Sequence, residues 1–445
     1  MTSEPTKAAQ IVNVALFMLA LVGLGGLLVA EFIQRSPTPE LSLEENRALA
    51  AFPEPSWDAL IEGRFAHGVD EWIADHFPAR DRFMAANFWL EQHRGFRSEQ
   101  AITVYAVTID NDAELEPLDD ELGLDELELD ELELELDEND ADADVSRSEG
   151  ILVVDGRAMQ LFAGGPKGSR KYAAVINEYA EALRDKVSIY VLIVPTAQTF
   201  YLPESYAGRV RHEPPNIAAT YAMLDSSVKT VDVVAALADH ASEYIYFRTD
   251  HHWTGLGAYH AYAGFCEQAG FEAVALDSME MGTIAPYRGS LYRYTHDEKL
   301  RGRPDQVEYW IPPVAAEVVR VTREGRRTLV SEGALLRTQS KGYGVFLGGD
   351  QPLLVARTGN HTGRRALLVK NSYGNPFAVY LVSHFDEVVI VDYRKFDASV
   401  LALIEDYQIT DLIFLNGAIT ANARFHIARL ARIMKGPKKP RRTNE

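Results

Sequence analysis

Residues 247–255 read Phe247-Arg248-Thr249-Asp250-His251-His252-Trp253-Thr254-Gly255, which places an acid, two imidazoles and an indole at consecutive positions. The apolar run 244–247 at the start of this motif is typical of a short strand, and residues 255–270 carry apolar side chains at helical spacing. Thr254 is a suitable N-cap for that helix. The sequence therefore predicts that the motif lies where a strand leads into a helix, at the edge of an α/β sheet that usually binds ligands.

An acid and a base in this motif are placed to act together. Asp250 and His252 lie two residues apart, so in an extended backbone their side chains leave on the same side and His251 points to the other. A carboxylate beside an imidazole fixes its tautomer and stabilises the imidazolium that forms when the ring takes a proton. We interpret His251 as a packing residue rather than a ligand.

A nucleophile for this pair occurs downstream, at Ser372. Residues 366–369 form a continuous apolar run that is typical of a buried strand, and the pattern of residues 377–385 is helical. A serine on the turn from a buried strand to a helix exposes its hydroxyl, and its N–H and the positive end of the helix can stabilise an oxyanion. This arrangement is suited to acyl transfer.

These residues resemble the DHHW family, which is itself similar to the SGNH-hydrolase-like proteins of alginate and exopolysaccharide O-acetylation. The main blocks of the resemblance are residues 249–254 and 370–373, and shorter ones extend it over most of residues 42–420 apart from one insert. The resemblance implies a triad of Ser372, His252 and Asp250. One departure is Asn371, because many relatives carry an acid directly before the serine.

Apolar runs alternate with helical stretches from Gly150 onward, which predicts an α/β domain with a sheet covered by helices. The resemblance implies that this domain, at residues 148–434, is a three-layer SGNH-hydrolase-like domain. Its sheet is expected to be mostly parallel, and residues 275–350 are expected to form an inserted β-rich excursion. Further strands are predicted at 188–195, 230–235, 366–370, 387–392 and 411–415, with helices at 169–185, 376–385 and 397–407.

The predicted mechanism starts when His252 takes the proton of Ser372, whose oxygen attacks an acyl donor to form an acyl-enzyme. Transfer to an acceptor hydroxyl would make the protein an O-acyltransferase, and transfer to water would make it an esterase. The resemblance implies an acetyl group, a surface polysaccharide as substrate and a multipass membrane acyltransferase as donor partner. No cofactor and no metal are expected. Oxyanion or substrate-binding candidates, which follow predicted strands or carry rings that stack on sugars, are Asn371, Arg394, Asn416, Trp253, Tyr292 and Tyr373.

Two other functions remain open. Asp250-His251-His252 superficially resembles the DHH phosphoesterases, in which Asp and His bind metal, but that chemistry needs further acidic blocks in the catalytic core, and the sequence outside the acidic insert offers no convincing one. The second alternative is a noncatalytic glycan-binding or assembly protein of the cell envelope. It would keep the fold without the turnover.

The N-terminal segment predicts a membrane anchor. Residues 8–30 carry no charge, and at about 1.5 Å per residue they would form a helix of about 35 Å, long enough to cross a hydrocarbon core of about 30 Å. We expect a cytoplasmic tip and anchor at 1–35 in a single-pass cell-membrane protein with the C-terminal domain extracellular. A cleaved signal peptide is the alternative. Residues 36–108 are expected to be helical and to pack on the catalytic domain.

Charge is concentrated in one insert, residues 109–147. Between 110 and 144 lie 19 Asp or Glu and no Lys or Arg; without these 19 carboxylates the net charge of −21 becomes −2. We predict a disordered insert, with cation or cell-wall binding as the alternative. The nearly neutral remainder excludes a nucleic-acid footprint, the single Cys266 excludes an internal disulfide, and residues 435–445 form a basic tail.

Overall fold

The computed structural model describes residues 150–324 and 327–436 without a break, together with 102–106, 47–61, 63–77 and scattered positions between 14 and 83. The described positions between 14 and 26 are helical. Most of the predicted anchor at 1–35, the acidic insert at 109–147 and nearly all of the basic tail lie outside the described residues. Within the described residues, no helix is both long and apolar enough to cross a membrane.

The chain divides into two compact units, Met1–Gln100 and Ala101–Glu445. The first unit contains the paired strands β1 (Leu41–Ser42) and β2 (Arg47–Ala48) and the helices α1 (Trp57–Ile61) and α2 (Arg64–Asp75). Trp72 is buried there against Phe52, with ring centroids 5.4 Å apart. The described residues of the predicted helical region 36–108 therefore include strands as well as the helices α1 and α2, and the packing of this region on the catalytic domain stays a prediction.

The second unit holds the remaining elements. Its strands are β3 (Ile102–Ala106), β4 (Gly150–Val154), β5 (Arg157–Gln160), β6 (Ser188–Val194), β7 (Val228–Val231), β8 (Glu280–Tyr287), β9 (Asp305–Ile311), β10 (Ala316–Glu324), β11 (Arg327–Glu332), β12 (Leu353–Thr358), β13 (Arg365–Lys370), β14 (Glu387–Asp392) and β15 (Asp411–Gly417). Its helices are α3 (Pro166–Ala182), α4 (Gln198–Tyr201), α5 (Glu204–Ala207), α6 (Glu213–Ala222), α7 (Val233–Ala238), α8 (Gly255–Ala269), α9 (Ser290–Thr295), α10 (Glu298–Arg301), α11 (Gly374–Leu381), α12 (Val400–Asp406) and α13 (Arg424–Lys435).

Eight of these strands form one mixed sheet in the order β11-β10-β12-β14-β13-β15-β6-β7. The five strands from β14 to β7 run parallel to one another, whereas β12, β10 and β11 are added antiparallel at one side. Residues 275–350 are β-rich as predicted, but β10 and β11 extend the central sheet instead of forming a separate excursion. The strands β8 and β9 form their own ribbon, and β3, β4 and β5 a small antiparallel sheet.

The core explains why β13 lies at the centre of the sheet. Residues 366–369 are all fully buried, and alternate side chains enter two different apolar clusters. Leu368 packs in the cluster that contains Phe265 of α8 and Phe377 of α11, while Leu367 packs in the cluster that contains Ile176 of α3 and Leu430 of α13. Helices therefore cover both faces, which is why the strand is apolar at every position.

Two predicted strands are wrong. Residues 244–247 form a loop with one isolated bridge, between Tyr246 and Trp253. Residues 230–235 contain only the end of β7, because the side chain of Asp232 accepts a hydrogen bond from Ala235 N and starts α7 there. Both predictions rest on apolar runs. They are wrong because buried loops and the starts of helices can be as apolar as strands.

Candidate active site

The motif is carried by a closed loop between two hydrogen-bonded points. Thr254 N donates to Ile245 O at 2.9 Å, and Thr254 Oγ1 accepts from Gly257 N at 3.2 Å, so Thr254 both closes the loop and caps α8 as predicted. A Cβ atom at Gly257 would lie 2.4 Å from Ile245 O, which leaves room for glycine alone. Asp250 and His252 thus project from a loop, and the predicted strand end is absent at this point.

Asp305 of β9 holds the base of this loop. Its buried carboxylate accepts hydrogen bonds from Arg248 N at 3.0 Å, Thr249 N at 2.7 Å and Thr249 Oγ1 at 2.6 Å, and the Tyr244 hydroxyl donates to it as well. Burial raises the pKa of Asp305 above its ordinary value, against the lowering effect of these donors. The sequence does not identify Asp305 as a site residue, because its position in β9 gives no local signal of the contact.

Asp250 is surrounded by donors. Its Oδ1 accepts from His252 N at 2.9 Å and lies 2.6 Å from His252 Nδ1, while its Oδ2 accepts from the Tyr287 hydroxyl at 2.7 Å and from Ser290 N at 2.8 Å. The bond to His252 N makes a turn, and this turn brings the two side chains together. The proposed extended backbone is therefore not the reason that they share one side.

The electrostatics favour an ionised Asp250. Burial alone raises the pKa of a carboxyl group, but the charges of His252 and His251 and the hydrogen bonds from His252 and Tyr287 hold the pKa of Asp250 well below its ordinary range. Gly289 completes the enclosure, because a Cβ atom there would lie 2.2 Å from the Asp250 side chain. An anion at Asp250 accepts the Nδ1 proton of His252, which leaves Nε2 as an acceptor.

Ser372 lies on the turn between β13 and α11, as predicted. Its Oγ is 2.7 Å from His252 Nε2, so Asp250, His252 and Ser372 form one hydrogen-bonded chain. Tyr343 supports this chain from the β-rich region: its ring stacks on the His252 ring with centroids 4.1 Å apart, and its hydroxyl donates to Ser372 O at 3.0 Å. Tyr343 was missed because it lies in a 3₁₀ turn with no motif of its own.

The chain's family follows from this motif and from the sequence around it. The family model of DHHW proteins matches residues 45–148 and 119–391. The chain belongs to the DHHW family. A DHHW family protein of Eubacterium siraeum DSM 15702 is similar in structure, with a TM-score of 0.59, 30% identity and coverage of 65% of this chain and 96% of that one.

A second similar structure is Bacillus cereus PatB1 with a sulfonyl adduct, at a TM-score of 0.52, 18% identity and coverage of 62% of this chain and 97% of PatB1. The O-acetyltransferase domain of Pseudomonas putida AlgJ is more distant, at a TM-score of 0.38, 15% identity and coverage of 63% and 98%. Among curated proteins no match was found. The predicted resemblance to the DHHW family is confirmed, and the chain shares its fold with PatB1.

His251 also belongs to the DHHW signature and lies against His252, with ring centroids 3.8 Å apart. Its Nδ1 is 2.6 Å from Ser290 Oγ. Burial, followed by the charge of His252, lowers the pKa of His251 to about 3. One ligand atom each of Asp250, His251 and His252 lies within 4.8 Å of the others, so this group could hold a metal by proximity. However, His251 Nδ1 and both ring nitrogens of His252 already have hydrogen-bond partners in the protein.

Two of the three loop candidates of this DHHW protein, Arg394 and Asn371, bind other side chains, and the third, Asn416, is buried. The Arg394 guanidinium is buried and binds the carboxylates of Asp392, at 2.9 and 2.8 Å, and Asp350, at 2.7 Å. Asn371 Nδ2 donates to Thr420 Oγ1 at 3.0 Å. Asn416 is fully buried, and neither polar atom of its side chain has a hydrogen-bond partner in the described part of the chain.

The three aromatic candidates are buried. Trp253 Nε1 donates to Tyr373 O at 2.9 Å, and the Tyr373 hydroxyl donates to His251 O at 2.5 Å. Tyr292 contacts the motif through its backbone, because its N–H donates a hydrogen bond to Thr249 O at 2.9 Å. Their exposed fractions are 0% for Trp253, 5% for Tyr373 and 2% for Tyr292, which favours a structural role over stacking on a sugar.

A buried charge network lies beneath the serine turn. Lys370 Nζ is 2.9 Å from Asp392 Oδ2 and 3.4 Å from Asp350 Oδ1, and Asn375 Nδ2 donates to the same Asp350 oxygen at 2.9 Å. Burial opposes the charge on Lys370, but the two carboxylates raise its pKa above the ordinary value. Asp350 was not predicted as a site residue. It is joined to the serine turn through Lys370 and Asn375.

Proposed function

We propose that the chain is a serine-dependent O-acyltransferase or esterase that acts through Ser372, His252 and Asp250. The observation that carries the proposal is the hydrogen-bonded chain from Asp250 Oδ1 through the His252 ring to Ser372 Oγ, with distances of 2.6 and 2.7 Å. Such a chain is the arrangement that nucleophilic catalysis by a serine requires. It recurs on unrelated folds, so the residues carry this argument rather than the fold.

The chemical steps follow from the acid and base assignments. His252 Nε2 takes the Ser372 proton while Oγ forms a bond to the acyl carbon, and the imidazolium is stabilised by ionised Asp250. The donor's leaving group departs with the proton that His252 returns, which leaves an acyl-serine. His252 then deprotonates an acceptor hydroxyl, whose oxygen attacks the acyl carbon. The bond between Ser372 Oγ and the acyl carbon breaks, and His252 returns the proton to Ser372. The backbone N–H of Ser372 is the first proposed oxyanion donor.

The finer parts of the proposal concern substrate and place. An acetyl group and a polysaccharide hydroxyl are the substrates that the DHHW and O-acetylation resemblance supports. We further propose that residues 1–35 anchor the chain in the cell membrane with the catalytic unit outside, and that a multipass membrane acyltransferase supplies the acyl group. Purification of the membrane complex without such a protein would count against the donor partner.

The test of the nucleophile is covalent labelling with an arylsulfonyl fluoride, a reagent class suggested by the sulfonyl adduct of PatB1. We expect a mass increase of one sulfonyl group, which peptide mapping assigns to Ser372, and no such increase in Ser372→Ala. Ser290→Ala is the matched control because its hydroxyl contacts His251 and not His252. That variant should still label at Ser372.

Two outcomes would contradict the assigned nucleophile. One is labelling of the same yield in Ser372→Ala. The other is an unlabelled wild-type chain that binds polysaccharide, which would support a noncatalytic envelope protein instead. Incubation with an aryl acetate then separates the two enzymes, because an esterase releases acetate to water and a transferase needs an added glycan acceptor for rapid turnover.

A further inference from the structure

A second cluster of ligating side chains lies outside the site described above. It consists of His240, Glu243 and His260, of which the first two follow α7 and the third lies in α8. His240 Nδ1 is 2.7 Å from Glu243 Oε1, and His260 Nε2 is 3.1 Å from Glu243 Oε2. The three ligand atoms all lie within 4.8 Å of one another. One carboxylate therefore gathers two imidazole nitrogens from separate elements.

The cluster presents its donors in a form that a metal can use. A neutral imidazole offers a lone pair at the nitrogen that carries no proton, so a change of tautomer at each ring turns both nitrogens from hydrogen-bond donors into ligands. Glu243 contributes a charged oxygen. Ligands of a tetrahedral zinc ion lie about 3.4 Å apart, given Zn–N distances of about 2.0–2.1 Å. The separations of 2.7 and 3.1 Å between the imidazole nitrogens and the Glu243 oxygens need only a small lengthening to reach this value.

Exposure differs among the three ligands in a way that suits an open site. The His260 side chain is 11% exposed, whereas His240 and Glu243 are 37% and 42% exposed. The two rings are stacked with centroids 3.5 Å apart and an interplanar angle of 12°. Coordination of one ion therefore requires the more exposed His240 ring to turn toward it, and the open side leaves room for water as a fourth ligand.

We propose that His240, Glu243 and His260 bind a divalent transition-metal ion, with zinc as the ion that two imidazoles and one carboxylate suit best. Imidazole favours zinc, copper and nickel over the hard cations magnesium and calcium. The bound ion would join the segment before the DHHW motif to α8. In the sequence, Asp250 and His252 lie between Glu243 and His260. The ion would therefore link the two ends of the loop that carries Asp250 and His252.

The test is zinc binding by the untagged full chain at pH 7.5, with calorimetry to give stoichiometry and affinity. We expect one Zn²⁺ per chain, and Co²⁺ should give the visible absorption of an ordered low-coordinate site. Loss of a residue that only hydrogen-bonds to a metal ligand weakens metal affinity by about 10- to 100-fold. His240→Ala and Glu243→Gln each remove a ligand itself, so each should weaken zinc binding by more than this. Both substituted side chains are exposed, which keeps the variants folded.

Two controls decide which histidines are responsible. His212→Ala removes an exposed histidine outside either candidate group and should leave the affinity unchanged. His251→Ala disrupts the other candidate group and should also leave the zinc stoichiometry unchanged. The proposal is overturned if the wild type shows no zinc binding at about 100 µM Zn²⁺, roughly the Kd of a weak site. It is equally overturned if binding survives in His240→Ala but disappears in His251→Ala.

Discussion

The motif loop and the serine turn bring their side chains to the same place by different means. Ser372 is delivered by β13, a fully buried strand with backbone hydrogen bonds to β14 and β15 on its two sides. His252 is delivered by a loop that has one isolated bridge, and side chains such as Asp305 hold it. The sheet therefore positions the proposed nucleophile through the main chain, whereas the proposed base depends on individual side-chain contacts.

The largest expected effect concerns the contact at which the two regions meet. In His252→Gln the amide cannot take the proton of Ser372, so we expect sulfonylation and ester hydrolysis at Ser372 to slow by about 10⁴-fold while the fold is retained. The measurement is the labelling rate together with kcat/KM for an aryl acetate. A loss of less than about tenfold would mean that the motif loop does not supply the base, and Ser372→Ala gives the background rate.

The contrast between these regions explains what the sequence could predict. The serine turn was located because residues 366–369 are apolar at every position, and α8 was predicted because apolar side chains recur at helical spacing after the N-cap Thr254. In the structure Thr254 caps this helix and Gly270 ends it with a φ of +75°. The motif loop was misread as a strand end. Its conformation is set by Asp305, and neither that residue nor Tyr343 lies near the motif in sequence.

The same reasoning applies to the mixed sheet. Four of the five parallel strands, β6, β13, β14 and β15, match strands predicted from continuous apolar runs, whereas the prediction at 230–235 overlaps only the end of β7. The antiparallel side of the sheet was not predicted. Strands β10 and β11 pair with each other, β10 also pairs with β12, and β12 pairs with β14 although β13 lies between those two strands in the chain. Which edge of the sheet accepts such a ribbon depends on long-range pairing, and a single sequence carries no direct signal of that pairing.

The second prediction compares Asp305, which binds the motif loop, with Asn371, which lies in the serine turn. Asp305→Ala leaves buried donors at Arg248 N, Thr249 N and Thr249 Oγ1 without an acceptor, so we expect a loss of about 3–5 kcal/mol in the free energy of unfolding. Asn371→Ala removes two hydrogen bonds, one donated to Thr420 Oγ1 at 3.0 Å and one accepted from Tyr373 N at 3.3 Å, but leaves the strand ladder of β13 intact. It should cost only about 1–2 kcal/mol.

Urea unfolding at pH 7 measures both losses, and sulfonylation of the folded variants shows whether the site is affected. Asp305→Ala should also slow labelling of Ser372, since the loop that carries His252 is loosened. Equal losses of stability in Asp305→Ala and Asn371→Ala would remove the distinction between a loop held by side chains and a turn held by the sheet.

The third and smallest expected effect is the pH dependence contributed by His251 in the motif loop. Its folded-state pKa of about 3 lies below the ordinary value of 6.5, mainly because burial opposes the charged ring. Between these pH values the unfolded chain binds a proton at this ring and the folded chain does not, so stability falls as the pH falls below 6.5. From pH 7 to pH 5 the loss is up to about 2 kcal/mol, an upper bound because 20% of the side chain is exposed.

His251→Gln should therefore lose less stability than the wild type when urea unfolding is compared at pH 7 and pH 5. The carboxyl of Asp250 has a lowered pKa and contributes its own loss only at lower pH, below about 4, so it does not enter this window. His426 on α13 is buried with its pKa lowered to about 3, so His426→Gln should reduce the pH dependence in the same direction. If His251→Gln keeps the full wild-type pH dependence, the ring is hydrated in the folded protein, and the motif loop is more open than the contacts with His252 and Ser290 indicate.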